Sequence, residues 1–133
     1  MKPIFHGTNE KHWFEIMGDS IYVPDYWTDS PFESLGHSLK SASLFGAEML
    51  VVCLPEWDEE HFRPEKRNIV YYPETETRWY TCLKCPWDDV ESKSRAVEVY
   101  MERDLHIFVE KYFTEEQKRA LRNRPFRDRI PGV

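Results

Sequence analysis

Short apolar runs are spread along the chain, and most of them predict β-strands. Residues 48–54 contain a continuous apolar run that Pro55 closes, which predicts a central strand covered on both faces. Residues 2–6 predict a first strand that leads into a His-Gly-Thr sequence. Residues 20–27 are also rich in strand-forming residues, but Pro24 interrupts them and predicts a broken or edge strand.

The second half of the chain predicts further strands. Residues 94–101 alternate in polarity, so they predict a half-buried strand that carries Glu98 on its more polar face. Residues 56–66 are polar and predict a loop or a short helix, and residues 85–89 predict a loop. The remaining strands are predicted over residues 68–72 and 74–83.

Helices are predicted where apolar residues recur at helical spacing. Asn9 is the expected N-cap of the first helix, and Gly46 ends the second. The last helix opens with a capping box, in which Thr114 is followed three residues later by Gln117. The order β-α-β-α-β-β-β predicts an α+β fold. The predicted helices cover residues 9–17, 32–45 and 114–123, and residues 105–113 fit either a strand or a helix.

Composition adds a boundary and a charge asymmetry to this picture. The chain has 133 residues, which suits one domain with a modest core. We predict a domain at residues 1–113, followed at residues 114–133 by a helix and a basic tail that packs on it or extends from it. This C-terminal region contains six Lys and Arg and three Asp and Glu. The C-terminal region therefore has a charge of +3, and since the whole chain has −6, residues 1–113 have −9. Such an acidic body argues against broad contact with nucleic acid.

Three cysteines, an odd number, do not form a disulfide framework, so we expect a reduced cytoplasmic protein with free thiols. No apolar stretch reaches the roughly 18 residues of a membrane span, and the N-terminus has no signal-peptide pattern. Cys82 and Cys85 form a lone Cys-x-x-Cys pair that could bind zinc with His61 or Cys53. A second pair at standard spacing is missing from the sequence, so no metal site is predicted.

Four separated features combine ring, hydroxyl and carboxylate side chains: His6-Gly7-Thr8, Tyr26-Trp27-Thr28-Asp29, Gly36-His37-Ser38 and Val97-Glu98. In spacing and order they resemble the His-class ADP-ribosyltransferases, the branch of diphtheria toxin and the poly(ADP-ribose) polymerases. The family has a second Tyr at the position of His37. Ala96, two residues before Glu98, argues against the arginine-specific branch, which has Glu-x-Glu there. The resemblance implies a split, antiparallel-rich sheet with flanking helices and an NAD cleft between its halves.

This resemblance implies NAD as the cofactor and substrate, with Glu98, His6 and Tyr26 as catalytic residues. Breaking the nicotinamide–ribose bond develops positive charge on the ribose, which a nearby carboxylate stabilises. Glu98 would be that carboxylate and would also hold the ribose 2′-hydroxyl. The other implied contacts are a ribose hydroxyl for His6, the carboxamide for the Gly7 backbone, a hydroxyl contact for Thr8, and a nicotinamide ring sandwiched by Tyr26 and His37.

The implied activity is mono-ADP-ribosyl transfer to a host or partner macromolecule, or NAD hydrolysis on the same fold. A protein acceptor is favoured over nucleic acid because the body is acidic. The small size suggests an effector or a defence inhibitor encoded by a phage or a bacterium. Two alternatives stay open: a non-catalytic module that docks a protein through its basic tail, and a relative of the NAD-dependent RNA 2′-phosphotransferases, in which Glu98 would be unexplained.

Overall fold

Six strands form one antiparallel sheet in the computed structural model, in the order β4-β5-β2-β1-β3-β6. The structure describes residues 2–19, 26–66, 77–82, 87–94, 96–121 and 129–130, without the side chains of residues 16–19 and 93. The strands are β1 (Ile4–Asn9), β2 (Tyr26–Thr28), β3 (Met49–Leu54), β4 (Phe62–Glu65), β5 (Trp79–Cys82) and β6 (Glu98–Met101). An antiparallel sheet with flanking helices confirms the predicted α+β class.

The helices of the described residues are α1 (Glu10–Asp19), α2 (Pro31–Phe45), α3 (Trp87–Lys93), α4 (Leu105–Tyr112) and α5 (Glu115–Leu121). The predicted caps form. Asn9 Oδ1 accepts the N–H of His12 at 2.9 Å. Gln117 N–H donates to Thr114 Oγ1 at 3.1 Å, and Thr114 N–H donates to Gln117 Oε1 at 2.9 Å. The ambiguous segment at residues 105–113 is helical, since α4 occupies it.

The sheet separates two apolar clusters, one on each face. The α2 face is covered by α2 and α4, and its cluster includes Phe5, Val51, Cys53, Tyr100 and Phe108. The tryptophan face packs around Trp13, Trp27 and Trp87, together with Ile4, Val52 and Leu54. All six residues of β3 are buried, and alternate ones face each cluster. The predicted central strand, covered on both faces, is therefore confirmed.

Two segments predicted as irregular adopt regular structure because their aromatic residues are buried on the tryptophan face. Residues 56–66, predicted as a loop or a short helix, contain strand β4, and its Phe62 belongs to the cluster on that face. Residues 85–89, predicted as a loop, contain the start of α3. There Trp87 packs edge-on against Trp13, with ring centroids 5.3 Å apart. Tertiary packing outweighs the local pattern in both places.

The strand predicted at residues 74–83 is confirmed over a shorter span, since β5 covers Trp79–Cys82 within the described residues. The strand predicted at residues 68–72 lies outside the described residues. Among the described residues of the strand predicted at 94–101, Glu98–Met101 is paired in the sheet.

Strand β6 departs in part from the face assignment that its alternation predicts, although Val97 and Met101 do pack against the tryptophan cluster. Glu98 is predicted on the more polar side, but that side lies on the α2 face, where Tyr100 is buried against Phe108 with ring centroids 5.4 Å apart. Val99, on the opposite side, is 45% exposed. Because β6 is an edge strand and α4 covers one of its faces, its place in the sheet decides which side is buried.

The described part of the C-terminal region packs against the rest of the chain. Leu121, at the end of α5, and Ile130 are both buried in the cluster of the α2 face. Arg129 donates to the Ala47 carbonyl at 2.9 Å and forms an ion pair with Glu102 at 2.7 Å. Truncation before α5 would therefore remove core side chains as well as basic residues.

Helix α2 lies against β1 at a very short separation. A Cβ added to Gly7 would lie 1.9 Å from the carbonyl oxygen of Ser34, so only glycine fits here. One turn later, the Ser38 hydroxyl donates to the Thr8 carbonyl at 2.7 Å and accepts the N–H of Leu50 at 2.9 Å. Thr8 and Leu50 are partners in the ladder between β1 and β3, so a helix side chain bridges the two strands.

Replacing Ser38 by alanine is expected to lower the free energy of unfolding by about 1–3 kcal/mol, because the buried Leu50 N–H loses an acceptor. Ser43 is exposed on the same helix and supplies the matched control. Ser43→Ala should change stability by less than about 0.5 kcal/mol. Urea unfolding measures both values, and equal effects of the two substitutions would show that the Ser38 hydroxyl contributes nothing.

Candidate functional site

The first two predicted motifs meet at the hydrogen bond between His6 on β1 and Tyr26 on β2. The Nδ1 atom of His6 lies 2.6 Å from the backbone oxygen of Tyr26. A carbonyl oxygen only accepts, so Nδ1 carries the hydrogen, and in the neutral ring Nε2 carries the lone pair. The imidazole also lies beside Trp27, with ring centroids 5.5 Å apart. The His6 ring is therefore on the tryptophan face, and it fixes the start of β2.

The two rings predicted to sandwich nicotinamide lie on the α2 face. Tyr26 is the first residue of β2 and is 38% exposed. His37, on α2, packs edge-on against Trp79 with ring centroids 5.1 Å apart. Trp79 and Thr81 point to the same side of β5, and Thr81 is the ladder partner of Tyr26. The structure thus brings Tyr26 and His37 to one region of one face.

Gly7 and Thr8 have structural neighbours that the sequence does not reveal. The α side of Gly7 is occupied by the backbone of Ser34, which gives this glycine a packing reason independent of any ligand. Thr8 is buried on the tryptophan face, and its carbonyl accepts the Ser38 hydroxyl. Their contacts with the carboxamide and with a hydroxyl of NAD remain predictions.

Glu98 is held by donors from its own strand and from α4. Its Oε1 atom accepts hydrogen bonds from the hydroxyl groups of Tyr100 and Tyr112, the second at 2.7 Å. Its Oε2 atom forms an ion pair with Lys111 Nζ at 2.5 Å. Cys53, buried on β3, is its ladder partner. This carboxylate therefore connects β6 to α4.

The environment keeps the Glu98 cluster in one protonation state near neutral pH. Burial alone would raise the pKa of the Glu98 carboxyl, but hydrogen bonds from Lys111, Tyr100 and Tyr112 outweigh it, so the pKa lies below its ordinary value. Burial, followed by hydrogen bonding within the cluster, raises the pKa of both phenols. Burial also raises the pKa of the Cys53 thiol to about 12. An ionised carboxylate thus faces two neutral phenols and the Lys111 ammonium group, and the thiol is unreactive.

The structure does not bring Glu98 together with the other predicted site residues. Strands β1 and β3 lie between β2 and β6. At one strand spacing per step, Glu98 is about 14 Å from Tyr26 along the sheet. Helix α2 packs on β1 between them, and the His6 ring points to the opposite face. Strand order and side-chain alternation thus separate these residues across the sheet, and their assignment to one catalytic site stays a prediction.

A cavity of about 720 Å³ opens on the tryptophan face, at the ends of β2 and β5. Its residues include Lys2, Asp29, Trp57, Glu59, Arg78 and Tyr80. None of these is among the predicted site residues. The aromatic content of 15% is a general signal for a ring-lined cleft, but no spacing in the sequence indicates which rings line it.

Neither a metal centre nor a membrane span is found in the part of the chain that the structure describes. No group of three or more His, Cys, Asp and Glu side chains there could hold a metal ion. Cys53 is a buried free thiol, and Cys85 lies outside the described residues. No helix there combines the length and the apolar character needed to cross a bilayer.

Comparison with protein-family models, curated proteins and solved structures finds no match to this chain. The likeness to the His-class ADP-ribosyltransferases therefore rests on the residue pattern alone.

Proposed function

We propose that this protein binds NAD beside α2 and transfers its ADP-ribose to a macromolecule, as a mono-ADP-ribosyltransferase. One observation carries the proposal: the His-Gly-Thr and Tyr-x-Thr-Asp motifs lie on neighbouring strands, joined at 2.6 Å by His6 and the Tyr26 backbone. The resemblance implies this adjacency.

The nicotinamide ring would stack on Tyr26, at the exposed edge of the α2 face. His37 would complete the sandwich, since its contact with Trp79 holds its ring on the same face. The Thr81 hydroxyl lies across the ladder from Tyr26; it is buried and, among the described residues, has no hydrogen-bond partner. A buried polar group of this kind is expected to meet a ligand atom or a water molecule.

The position of His6 limits the role that it can take. Its ring lies on the opposite face from Tyr26, so a hydrogen bond to a ribose hydroxyl requires NAD to cross the ends of β1 and β2. Whether or not the His6 ring contacts the ribose, its hydrogen bond to the Tyr26 carbonyl gives it a positioning role. By fixing the start of β2, His6 positions the ring on which nicotinamide would stack.

The location of Glu98 favours a second candidate, a relative of the NAD-dependent RNA 2′-phosphotransferases. Strand spacing separates the backbones of Glu98 and Tyr26 by about 14 Å, so the carboxylate is not beside a nicotinamide ring stacked on Tyr26. A phosphate monoester needs no activation, because its oxygens are already deprotonated at neutral pH. The acidic character of the chain, with a net charge of −6, disfavours RNA and keeps this candidate second.

We expect NAD to raise the melting temperature and Tyr26→Ala to weaken NAD binding at least about tenfold, because stacking on an aromatic ring contributes about 1–3 kcal/mol. Leu44→Ala is the control, since Leu44 is 71% exposed on α2 and can be removed at little cost. Isothermal titration with NAD measures both affinities. Equal affinities for wild type and Tyr26→Ala would place NAD elsewhere.

A transfer assay separates the candidate functions. The purified protein is incubated with labelled NAD and cell lysate, and in parallel with a 2′-phosphorylated RNA. A labelled protein band supports the transferase. Loss of the RNA phosphate together with NAD consumption supports the second candidate. Absence of both reactions, with a lysate protein retained by the C-terminal region, supports the non-catalytic binding module.

A further inference from the structure

The cavity on the tryptophan face is separate from the proposed nicotinamide site. Tyr26 and His37 lie on the α2 face, whereas Tyr80 lines the cavity from the other side of β5. Its volume of about 720 Å³ falls within the roughly 300–1,000 Å³ that is usual for small-molecule sites. A ligand larger than a single amino acid therefore fits.

Aromatic rings form one wall of the cavity. The rings of Trp57 and Tyr80 have centroids 5.0 Å apart, and Phe62 is buried beside Trp57 at 5.5 Å. The indole N–H of Trp57 donates to the Lys2 carbonyl at 2.9 Å, which holds the ring in place. The two rings are tilted by 57°, so a planar base can stack on the face of one and contact the other at an angle.

Two cations border the aromatic wall. The side chains of Lys2 and Arg78 are exposed, and neither forms an ion pair within the described part of the chain. The Arg78 backbone is fixed by reciprocal contacts with Asp29: its N–H donates to Asp29 Oδ1 at 2.8 Å, and its carbonyl accepts the Asp29 N–H at 3.1 Å. An arginine whose backbone is anchored at the rim, with a lysine lining the same cavity, suits a phosphate group.

Two carboxylates, Asp29 and Glu59, also border the cavity, so two positive and two negative side chains are present among its described lining residues. A ligand that is only anionic or only cationic would leave one pair unused. A nucleotide uses every group: its base stacks, its phosphate pairs with the cations, and its ribose hydroxyls donate to a carboxylate. A nucleic-acid strand fits less well, because the chain carries a net charge of −6.

We infer that this cavity binds a purine nucleoside monophosphate, with the base on Trp57 and Tyr80, the phosphate at Arg78 and Lys2, and the ribose at Asp29. This site goes beyond the proposed transferase activity and does not depend on it.

Isothermal titration of the whole protein with 5′-AMP, adenosine and inorganic phosphate tests the assignment. We expect AMP to bind at least about tenfold more tightly than adenosine, since a charge-assisted bond to phosphate is lost. Arg78→Gln should weaken AMP binding about tenfold and leave adenosine binding unchanged. Arg103→Gln is the control, because Arg103 lies away from the cavity with its side chain 82% exposed.

Absence of AMP binding at millimolar concentration would overturn the assignment, as would equal effects of Arg78→Gln and Arg103→Gln. Binding of inorganic phosphate as tight as that of AMP would do the same, because the base would then contribute nothing. Tyr26→Ala distinguishes the two sites, since it should weaken NAD but not AMP. If NAD binding is weakened by Arg78→Gln and not by Tyr26→Ala, the cavity holds NAD and the proposed nicotinamide site fails while the nucleotide site stands.

Discussion

Replacing Gly7 by alanine is expected to lower the free energy of unfolding by about 3 kcal/mol or more, enough to unfold a marginal domain. The added Cβ would lie 1.9 Å from the Ser34 carbonyl oxygen and 2.9 Å from the Ser38 nitrogen. Both are backbone atoms of α2, so no side-chain rotation relieves the clash. The helix would have to move away from β1, which would also break the Ser38 bridge to β3.

Gly46→Ala is the matched glycine control. Gly46 ends α2 with φ of +57°, and no atom lies within 4 Å of a Cβ built there. The expected cost is therefore backbone strain alone, about 1–2 kcal/mol. Chemical denaturation followed by circular dichroism compares the two variants with the parent protein. If Gly7→Ala costs no more than Gly46→Ala, the close approach of α2 to β1 is not present in solution.

Glu98→Ala is expected to lower the free energy of unfolding by about 2–3 kcal/mol near neutral pH, because the hydroxyls of Tyr100 and Tyr112 lose a charged acceptor. Transfer activity per folded molecule should stay unchanged, because the carboxylate lies away from Tyr26 and His37. Denaturant unfolding and the labelled-NAD assay measure the two effects separately. Glu91, exposed on α3, provides the control Glu91→Ala, for which little change in stability is expected.

The stability effect of Glu98 should depend on pH in a defined direction. The pKa of this carboxyl in the folded protein is lowered from 4.5, so its contribution is complete above the unfolded value and is lost as the pH falls through the folded value. The stability difference between wild type and Glu98→Ala should therefore become smaller as the pH falls.

The activity prediction has its own contrary outcome. If Glu98→Ala lowers the rate of ADP-ribose transfer about 100-fold or more while NAD affinity and stability are retained, Glu98 is catalytic.

Elements that depend on local physical chemistry could be predicted from the sequence. The apolar run of β3 leaves no polar side for solvent, so it has to be covered on both faces. The spacing of apolar residues and a terminal glycine predict α2, and the Thr114–Gln117 pair predicts the start of α5. Each of these signals lies within a few residues of the element that it predicts.

Strand β4, the start of α3 and the buried side of β6 could not be predicted in the same way. Phe62 and Trp87 are ordered by rings far away in the chain, such as Trp13. Tyr100 is buried because α4 covers that side of an edge strand. These outcomes depend on which segments pack together, and no local pattern reports that.

For the candidate site, too, some features follow from the local sequence and others from long-range packing. By itself, the sequence determined which residue types stand in which order: a His-Gly-Thr strand, a Tyr at the entry to a helix, and a late strand Glu. Only the tertiary structure decided that Tyr26 and His37 share a face, that the His6 ring lies on the other, and that Glu98 joins β6 to α4. The physical reason is that side-chain direction depends on register and strand order, which long-range pairing sets.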